Sequence, residues 1–534
     1  MTNKKKNVGF NDRAVGTLVG LACGDALGAA YEFGGPIPLT QEIGMVGGGA
    51  FGWEPGEWTD DTSMAIPIAQ EFANGADLLD SDTLGRIVSV WKNWAAEAKD
   101  VGVQTSRVLR SLKVTTEEAA REASRTLHEE SGRSGGNGAL MRTAPVALAY
   151  LSDPQSLTEA ATRIAQLTHW EEDAAQACVL WCHAIRHAVV TGELDIRIGL
   201  NELDYDAVQL WKSRIKEAET KQPEDFHRTN GWVVTAFQGA WSAIHHGREA
   251  GEGIVPILER AVRGGGDTDT VAAIAGSLIG AWVGTSRIPA QWRRVIHGWP
   301  GLNYRDLLNL GVLCASGKDQ HEVTGWPLST QMSGTHENVW VQHPHDDGVY
   351  LASLTALEEM PADIDAVVSM CRVGTEQVQG AEVFEFWLFV EPGHNLDTVA
   401  VLRDAAHTVA KLREEGKKVV IHCVAAHNRT PAAAIAYSIL HKNIAFDQAW
   451  QEVRNALPNP QHNQEFFDVL KTLTERTVNM SNTLDPDERD AFIDSLLDDP
   501  QEVEGMEDMD RFEQRDILNQ QWTDEMILHA IQPR

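Results

Sequence analysis

Two short acidic stretches hold the residue types best suited to chemistry. GEWTDDTSM, residues 56–64, supplies Thr59, Asp60 and Asp61, and GGGDTDTVAAIAG, residues 264–276, supplies Asp267, Asp269 and Thr270. Carboxylates crowded in this way repel one another unless a cation lies between them. All the candidate donors are oxygens and no histidine or cysteine adjoins them, which suits Mg²⁺, Mn²⁺ or Ca²⁺ rather than zinc. If the fold joins the stretches, they can hold two cations roughly 3.5–4 Å apart, a separation suited to activating water. Taken singly, either stretch reads as a solvated turn or a helix cap. Their shared composition, and the apolar helical run that follows each, argue for one joint site.

A second group lies in VVIHCVAAHNRTPAAAIAYSIL, residues 419–440, where Cys423 and Arg429 stand as Cys-x5-Arg between a buried strand and a helix. A loop closing on a helix N-terminus gathers amides that bind a phosphate dianion and favour a thiolate. Arg429 can clamp two phosphate oxygens, Cys423 can attack phosphorus, and Thr430 can assist release of the phosphoenzyme. SGRSGGNGALMRTAP, residues 131–145, is a glycine-rich turn that can cradle phosphate, and His169 closes a helical run at Thr168-His169-Trp170. Cys178 and Cys182, one helical turn apart, read as core, because no further pair has zinc spacing.

These residues need elements to position them. Gly16, Gly20, Gly24 and Gly28 recur every four residues in DRAVGTLVGLACGDALGAAYEF, placing them on one helix face open to a close crossing. Asp25 and Glu32 in the same run need a buried partner, either a metal or a sugar hydroxyl. From about residue 61 to 310 the apolar period is helical almost throughout, giving an all-α domain. Around 315–337 the chain turns polar. Beyond it NVWVQHP, GVYLASL, IDAVVSMCRV, VFEFWLFV and KKVVIHC read as strands alternating with helices, an α/β sheet. The expected organisation is an all-α domain over 10–314, a linker over 315–337, an α/β domain over 338–478 and an acidic tail over 479–534.

With 534 residues the chain exceeds one ordinary core, and a formal charge of −32 argues against nonspecific nucleic-acid or anionic-membrane binding. Six sparse cysteines, a start without an apolar leader and no run of about twenty apolar residues point to a reducing, cytoplasmic setting without a membrane span.

GDALGAAYE, WTDDTSM, GGNGALMRTAP, LTHW and GGGDTDTVAAIAG occur in the order of the ADP-ribosylglycohydrolase family, which the chain resembles over roughly residues 10–310. The resemblance implies an all-α fold with two Mg²⁺ or Mn²⁺ ions, and cleavage of the bond from C1″ of the distal ribose to an acceptor, often arginine. It implies Thr59, Asp60, Asp61, Asp267, Asp269 and Thr270 as metal ligands. Gly135, Asn137 and Gly138 would lie along the diphosphate, His169 would face the ADP-ribose, and Glu32 would act at or gate the metal site. A carboxylate of the cluster would take the proton of the attacking water.

Residues 338–478 resemble the cysteine-dependent tyrosine and dual-specificity phosphatases. Two departures stand out: Ala426 replaces a loop glycine, and Glu391 stands where a general-acid aspartate is expected, with Asp397 further on. The expected partners are an ADP-ribosylated protein or an ADP-ribose-containing small molecule, and a phosphorylated substrate for the second domain. The rival expectation is a binding protein that neutralises an ADP-ribosylating toxin, with a phosphate-binding pseudophosphatase domain.

Overall fold

The computed structural model describes residues 9–316, 337–374, 376–378 and 380–480. The first half is built on one helix crossing. The helix Phe10–Gly28 is buried over almost its whole length against the helix Thr268–Val283. Gly16, Gly20, Gly24 and Gly28 meet Gly280, Gly276, Ala272 and Asp269, and a Cβ at any of the four would collide with the opposing backbone. This is the close crossing expected from the spacing. It brings Asp25, on one helix, against the helix start that carries Asp269.

Helices including Asp60–Ala73, Glu172–Thr191 and Val233–Glu249 pack around this pair and close a single apolar core. Cys178 and Cys182 belong to that core, as expected. Among the described residues of this half, the named strands are a two-residue ribbon, His297–Gly298 with Leu302–Asn303. The domain is therefore all-α in substance.

The second half is a five-stranded sheet. Its strands are β1 (Trp340–His343), β2 (Asp346–Ser353), β3 (Ala366–Ser369), β4 (Glu382–Glu385) and β5 (Val419–Cys423). The spatial order is β1-β2-β5-β3-β4, antiparallel at β1–β2 and parallel elsewhere. Each strand overlaps one of the five segments expected to form one, with β2 and β4 beginning one or two residues earlier. β5 is central and fully buried: Val419 and Ile421 pack on one face and Val420 on the other. That is why VVIHC is a continuous apolar run rather than an alternating one. Helices Thr398–Glu414 and Arg429–Lys442 cover the sheet.

The two domains share an ionic seam. Arg293 Nη2 lies 3.1 Å from Asp404 Oδ2, and Arg293 Nη1 donates to the Glu385 carbonyl at 3.0 Å. Arg294 pairs with Glu382 at 2.5 Å and Glu415 at 2.6 Å, and Arg287 pairs with Asp397 at 2.8 Å. Residues 317–336 of the expected linker and 481–534 of the expected tail lie outside the described residues. No described helix is long and apolar enough to cross a membrane.

Candidate active sites

The first site forms where the starts of the Asp60–Ala73 and Thr268–Val283 helices meet the end of the Phe10–Gly28 helix. Asp25 is fully buried. It accepts from Thr59 N (2.8 Å), Thr62 N (2.9 Å) and Thr62 Oγ1 (2.6 Å), which fastens the start of the Asp60–Ala73 helix to the glycine seam. Asp61 enters from that start, and its Oδ2 accepts from Thr59 Oγ1 (3.1 Å) and Thr270 Oγ1 (3.4 Å). Asp267 stands at the N-cap position of the Thr268–Val283 helix, with its side chain turned away from the helix amides. Its Oδ2 accepts from Asn137 Nδ2 at 2.8 Å, and its amide donates to Asn230 Oδ1 at 3.0 Å.

Two carboxylate triads result, Asp25–Asp61–Asp269 and Glu32–Asp267–Asp269, each with one oxygen per residue within 4.8 Å of the others. Asp269 belongs to both. Asp25 already has both oxygens engaged by Thr59 and Thr62, so it acts as a bracket. One oxygen each on Glu32, Asp61 and Asp267 is buried without a hydrogen-bond partner. Buried acceptors left in that state call for a cation or a proton.

Electrostatics agree. Burial first, then the neighbouring carboxylates, pushes Glu32 up to about 9 and holds Asp61 and Asp269 well above the usual carboxylate range. Burial raises Asp25 to about 6 against its three hydrogen bonds. The donor set is hard oxygen throughout and fits a divalent cation such as Mg²⁺ or Mn²⁺.

Asp60 stands outside both triads. Successive residues at a helix start point about 100° apart, so Asp60 and Asp61 diverge. Asp60 is raised by burial and then by Asp100. It lines a cavity of about 220 Å³ walled by Trp53, Trp58, Trp94 and Trp299.

The glycine-rich turn contributes through a single 3₁₀ turn, Asn137–Ala139. The Asn137 amide is committed to Asp267 and to the Asn230 carbonyl (3.0 Å), so it orients a member of the triad. His169 is buried against Gly136 and Gly138, and the Glu171 carboxylate stands beside Gly135. Arg142 donates to Thr168 Oγ1 at 2.6 Å, and that hydroxyl lies 2.7 Å from His169 Nδ1. Burial and then Arg142 hold this imidazole well below its usual pKa. His169 is thus a neutral ring. Asp25, Asp100 and Asn230 matter more than sequence reasoning allowed. Asp25 is marked by GDALG, while nothing in the local sequence singles out Asp100 or Asn230.

The second site lies at the carboxyl ends of the parallel strands, where β2 and β3 flank β5. Cys423 ends β5, buried, and Arg429 opens the following helix. Ala426, in the loop between them, has φ +56°, a conformation that costs an L-residue about 1–2 kcal/mol and that glycine adopts freely. Arg429 Nη1 donates to the Leu388 carbonyl at 3.2 Å, and its Nε is buried without a partner. His422 is held neutral by burial, its pKa pushed down to about 3, with Ser369 Oγ 2.7 Å from Nε2. Thr430 Oγ1 donates to the Ala352 carbonyl at 3.4 Å.

Glu391 is exposed on its loop. Asp397 caps the Thr398–Glu414 helix through Ala400 N and pairs with Arg287. The carboxylate lining the cavity beside Arg429 is Glu385.

Fold and sites define a helical domain closed on oxygen donors, joined to a sheet domain with a Cys-x5-Arg loop. The ADP-ribosylglycohydrolase family model matches residues 6–320, and the dual specificity phosphatase catalytic-domain model matches residues 349–476. An ADP-ribosyl-[dinitrogen reductase] glycohydrolase of Rhodospirillum rubrum is 30% identical over 292 residues, covering 53% of this chain and 89% of that protein. An ADP-ribosylarginine hydrolase Tri1 of Pseudomonas putida is 31% identical over 298 residues, covering 53% of this chain and 73% of that one. ADP-ribosylhydrolase ARH3 of Bos taurus is 27% identical over 327 residues, 53% and 88%. The chain belongs to the ADP-ribosylglycohydrolase family and carries a phosphatase-type domain behind it.

Proposed function

We propose that the first domain hydrolyses the glycosidic bond between ADP-ribose and an acceptor. The observation that carries this reading is the set of unpartnered buried oxygens on Glu32, Asp61 and Asp267 converging on Asp269. Two cations, Mg²⁺ or Mn²⁺, held by Asp61, Asp267 and Asp269 with Thr59 and Thr270, would supply Lewis-acid polarisation of a water and of the ribose hydroxyls.

The chain's own residues do the rest. Asn137 fixes the direction of Asp267. Asp25 holds the Asp60–Ala73 helix start in place. Glu32, in the triad with Asp267 and Asp269 and raised by burial and then by the neighbouring carboxylates, can exchange a proton with the attacking water or the leaving group. His169 offers an uncharged ring nitrogen to the sugar or diphosphate side. The anionic cluster as a whole favours an oxocarbenium-like transition state.

The acceptor we favour is an arginine side chain. The tryptophan-walled cavity beside Asp60 and Asp100 suits a planar cation, through cation–π contact and charge. The relatives named for ADP-ribosylarginine and for ADP-ribosylated dinitrogen reductase support the same choice. We assign the second domain hydrolysis or binding of a phosphomonoester at Cys423 and Arg429, in a cytoplasmic protein whose six cysteines are all free.

The test is release of ADP-ribose from an ADP-ribosylarginine substrate with Mg²⁺, Mn²⁺ or chelator. Asp61→Ala should lower divalent-dependent release by about 10³-fold or more, the scale on which a unit-acting catalytic group is lost. Undiminished release in that variant refutes the assignment.

A further inference from the structure

Beside Arg429 lies a cavity of about 340 Å³ whose walls come from both domains. Val424 and Arg429 bring the phosphate loop to it. Arg372, Glu385 and the run Phe386-Trp387-Leu388-Phe389 form its sides, and Asn11 reaches it from the first domain's opening helix. The segments carrying those sides follow β3 and β4, at the rim of the second site. Both are fastened to the first domain. Trp387 packs against the helical core, Arg305 Nη2 donates to the Val373 carbonyl at 2.9 Å, and Arg293 donates to the Glu385 carbonyl at 3.0 Å.

A phosphatase domain that acts on protein surfaces needs this rim open, because the polypeptide flanking the phosphorylated residue must lie across it. Here the rim is one side of an interdomain seam. What can enter is limited by the cavity itself, whose volume lies at the small end of the range for small-molecule pockets, roughly 300–1,000 Å³. Its chemistry is specific. A guanidinium has its Nε buried and unpaired, an asparagine oxygen from the other domain is also buried and unpaired, and Phe386, Trp387 and Phe389 line the cavity together with Arg372 and Glu385. That combination suits a dianionic phosphate at one end, a flat ring in the middle, and a hydroxyl or amino donor for Asn11 Oδ1 and Glu385.

We propose that this interdomain cavity binds a small phosphomonoester carrying an aromatic or heteroaromatic ring, and that the first domain, through Asn11, excludes phosphorylated polypeptide from the second site. The inference rests on the reading of residues 423–429 as a phosphate loop, and the experiment separates the two.

The full chain carrying Cys423→Ser is titrated calorimetrically with inorganic phosphate, a nucleoside monophosphate and a phosphotyrosine peptide of about ten residues. The nucleoside monophosphate should bind at least about tenfold tighter than inorganic phosphate and the peptide, a difference of about 1.4 kcal/mol. Asn11→Trp, which fills the cavity from the first domain, should remove that advantage while leaving inorganic phosphate binding in place; Asn11→Ala serves if the bulkier variant does not fold. Peptide binding as tight as the nucleotide's, or nucleotide affinity unaltered by either Asn11 variant, overturns the inference. Arg429→Ala reports on the underlying reading: inorganic phosphate binding that survives it, or that is missing throughout, removes the phosphate loop itself and the inference with it.

Discussion

The carboxyls of the first site are held where ionisation is costly. Burial raises Glu32 to about 9 and Asp25 to about 6, and lifts Asp60, Asp61 and Asp269 well above their ordinary values. The cation-free folded chain therefore binds more protons than the unfolded one above the usual carboxylate pKa. Its stability falls as pH rises from about 4.5, where an unfolded glutamate ionises, through about 9, where the folded Glu32 does. A divalent cation seated among these groups offsets that loss. The rise in melting temperature produced by saturating Mn²⁺ should accordingly be larger at pH about 8 than at pH about 5.5, measured by scanning fluorimetry against chelated protein. Equal shifts at the two pH values would contradict the cluster as a cation site. The sequence marked Thr59, Asp60, Asp61, Asp267, Asp269 and Thr270 because their spacing crowds oxygen donors, and Glu32 because a carboxylate in a buried helical run needs a partner. It could not separate Asp60 from Asp61, since their divergence depends on where the helix begins. Nor could it reveal Asn230 or Asp100, which reach the site only through the chain's return in three dimensions.

The glycine seam is the element that turns separated motifs into one site. Its four-residue period was legible from sequence because only glycine removes a side chain on the same face at every turn. Its purpose was not, because the partner helix begins more than two hundred residues later. Gly20→Ala places a methyl against the Gly276 carbonyl. The crossing must then widen, at a cost of about 1–3 kcal/mol for overpacking, and Asp269 moves away from Asp25. Gly35→Ala meets nothing within 4 Å and should be close to neutral. Urea denaturation of the two variants checks the stability difference, and divalent-dependent ADP-ribose release should fall in Gly20→Ala alone. Equal stability would mean that the seam yields without strain. The second domain teaches a complementary point. Strand runs and Cys-x5-Arg located β5 and its loop, yet Thr430 turns its hydroxyl to the Ala352 carbonyl and Glu391 lies exposed. Side-chain direction follows from helix phase and loop path, which residue spacing alone does not encode.

At the scale of the whole molecule the question is whether the halves behave as one body. Arg293 is the central tie. It is 5% exposed, donates to Ile288 O (3.0 Å) and Tyr304 Oη (3.0 Å) within the first domain, and reaches Asp404 and the Glu385 carbonyl in the second. Its guanidinium also lies over the Tyr304 and Phe386 rings, 5.1 Å from each centroid. Asp404 is half-buried, and its desolvation already raises its pKa against the help of Arg293. Arg293→Ala would leave that carboxylate without its principal cation and would free the segment that forms the rim of the second site. Breaking a buried pair from one side costs about 3–5 kcal/mol. Here the cost falls on the seam, while the acidic cluster of the first site keeps all its ligands. Calorimetry should therefore show the unfolding of the wild-type chain separating into two transitions in Arg293→Ala, with ADP-ribose release retained. Binding of a ring-bearing phosphomonoester at the interdomain cavity should weaken. Arg293→Lys, which keeps the charge but cannot span Asp404 and the Glu385 carbonyl at once, should fall between the two. A single unchanged transition in Arg293→Ala would show that the domains are joined by something other than this ionic seam.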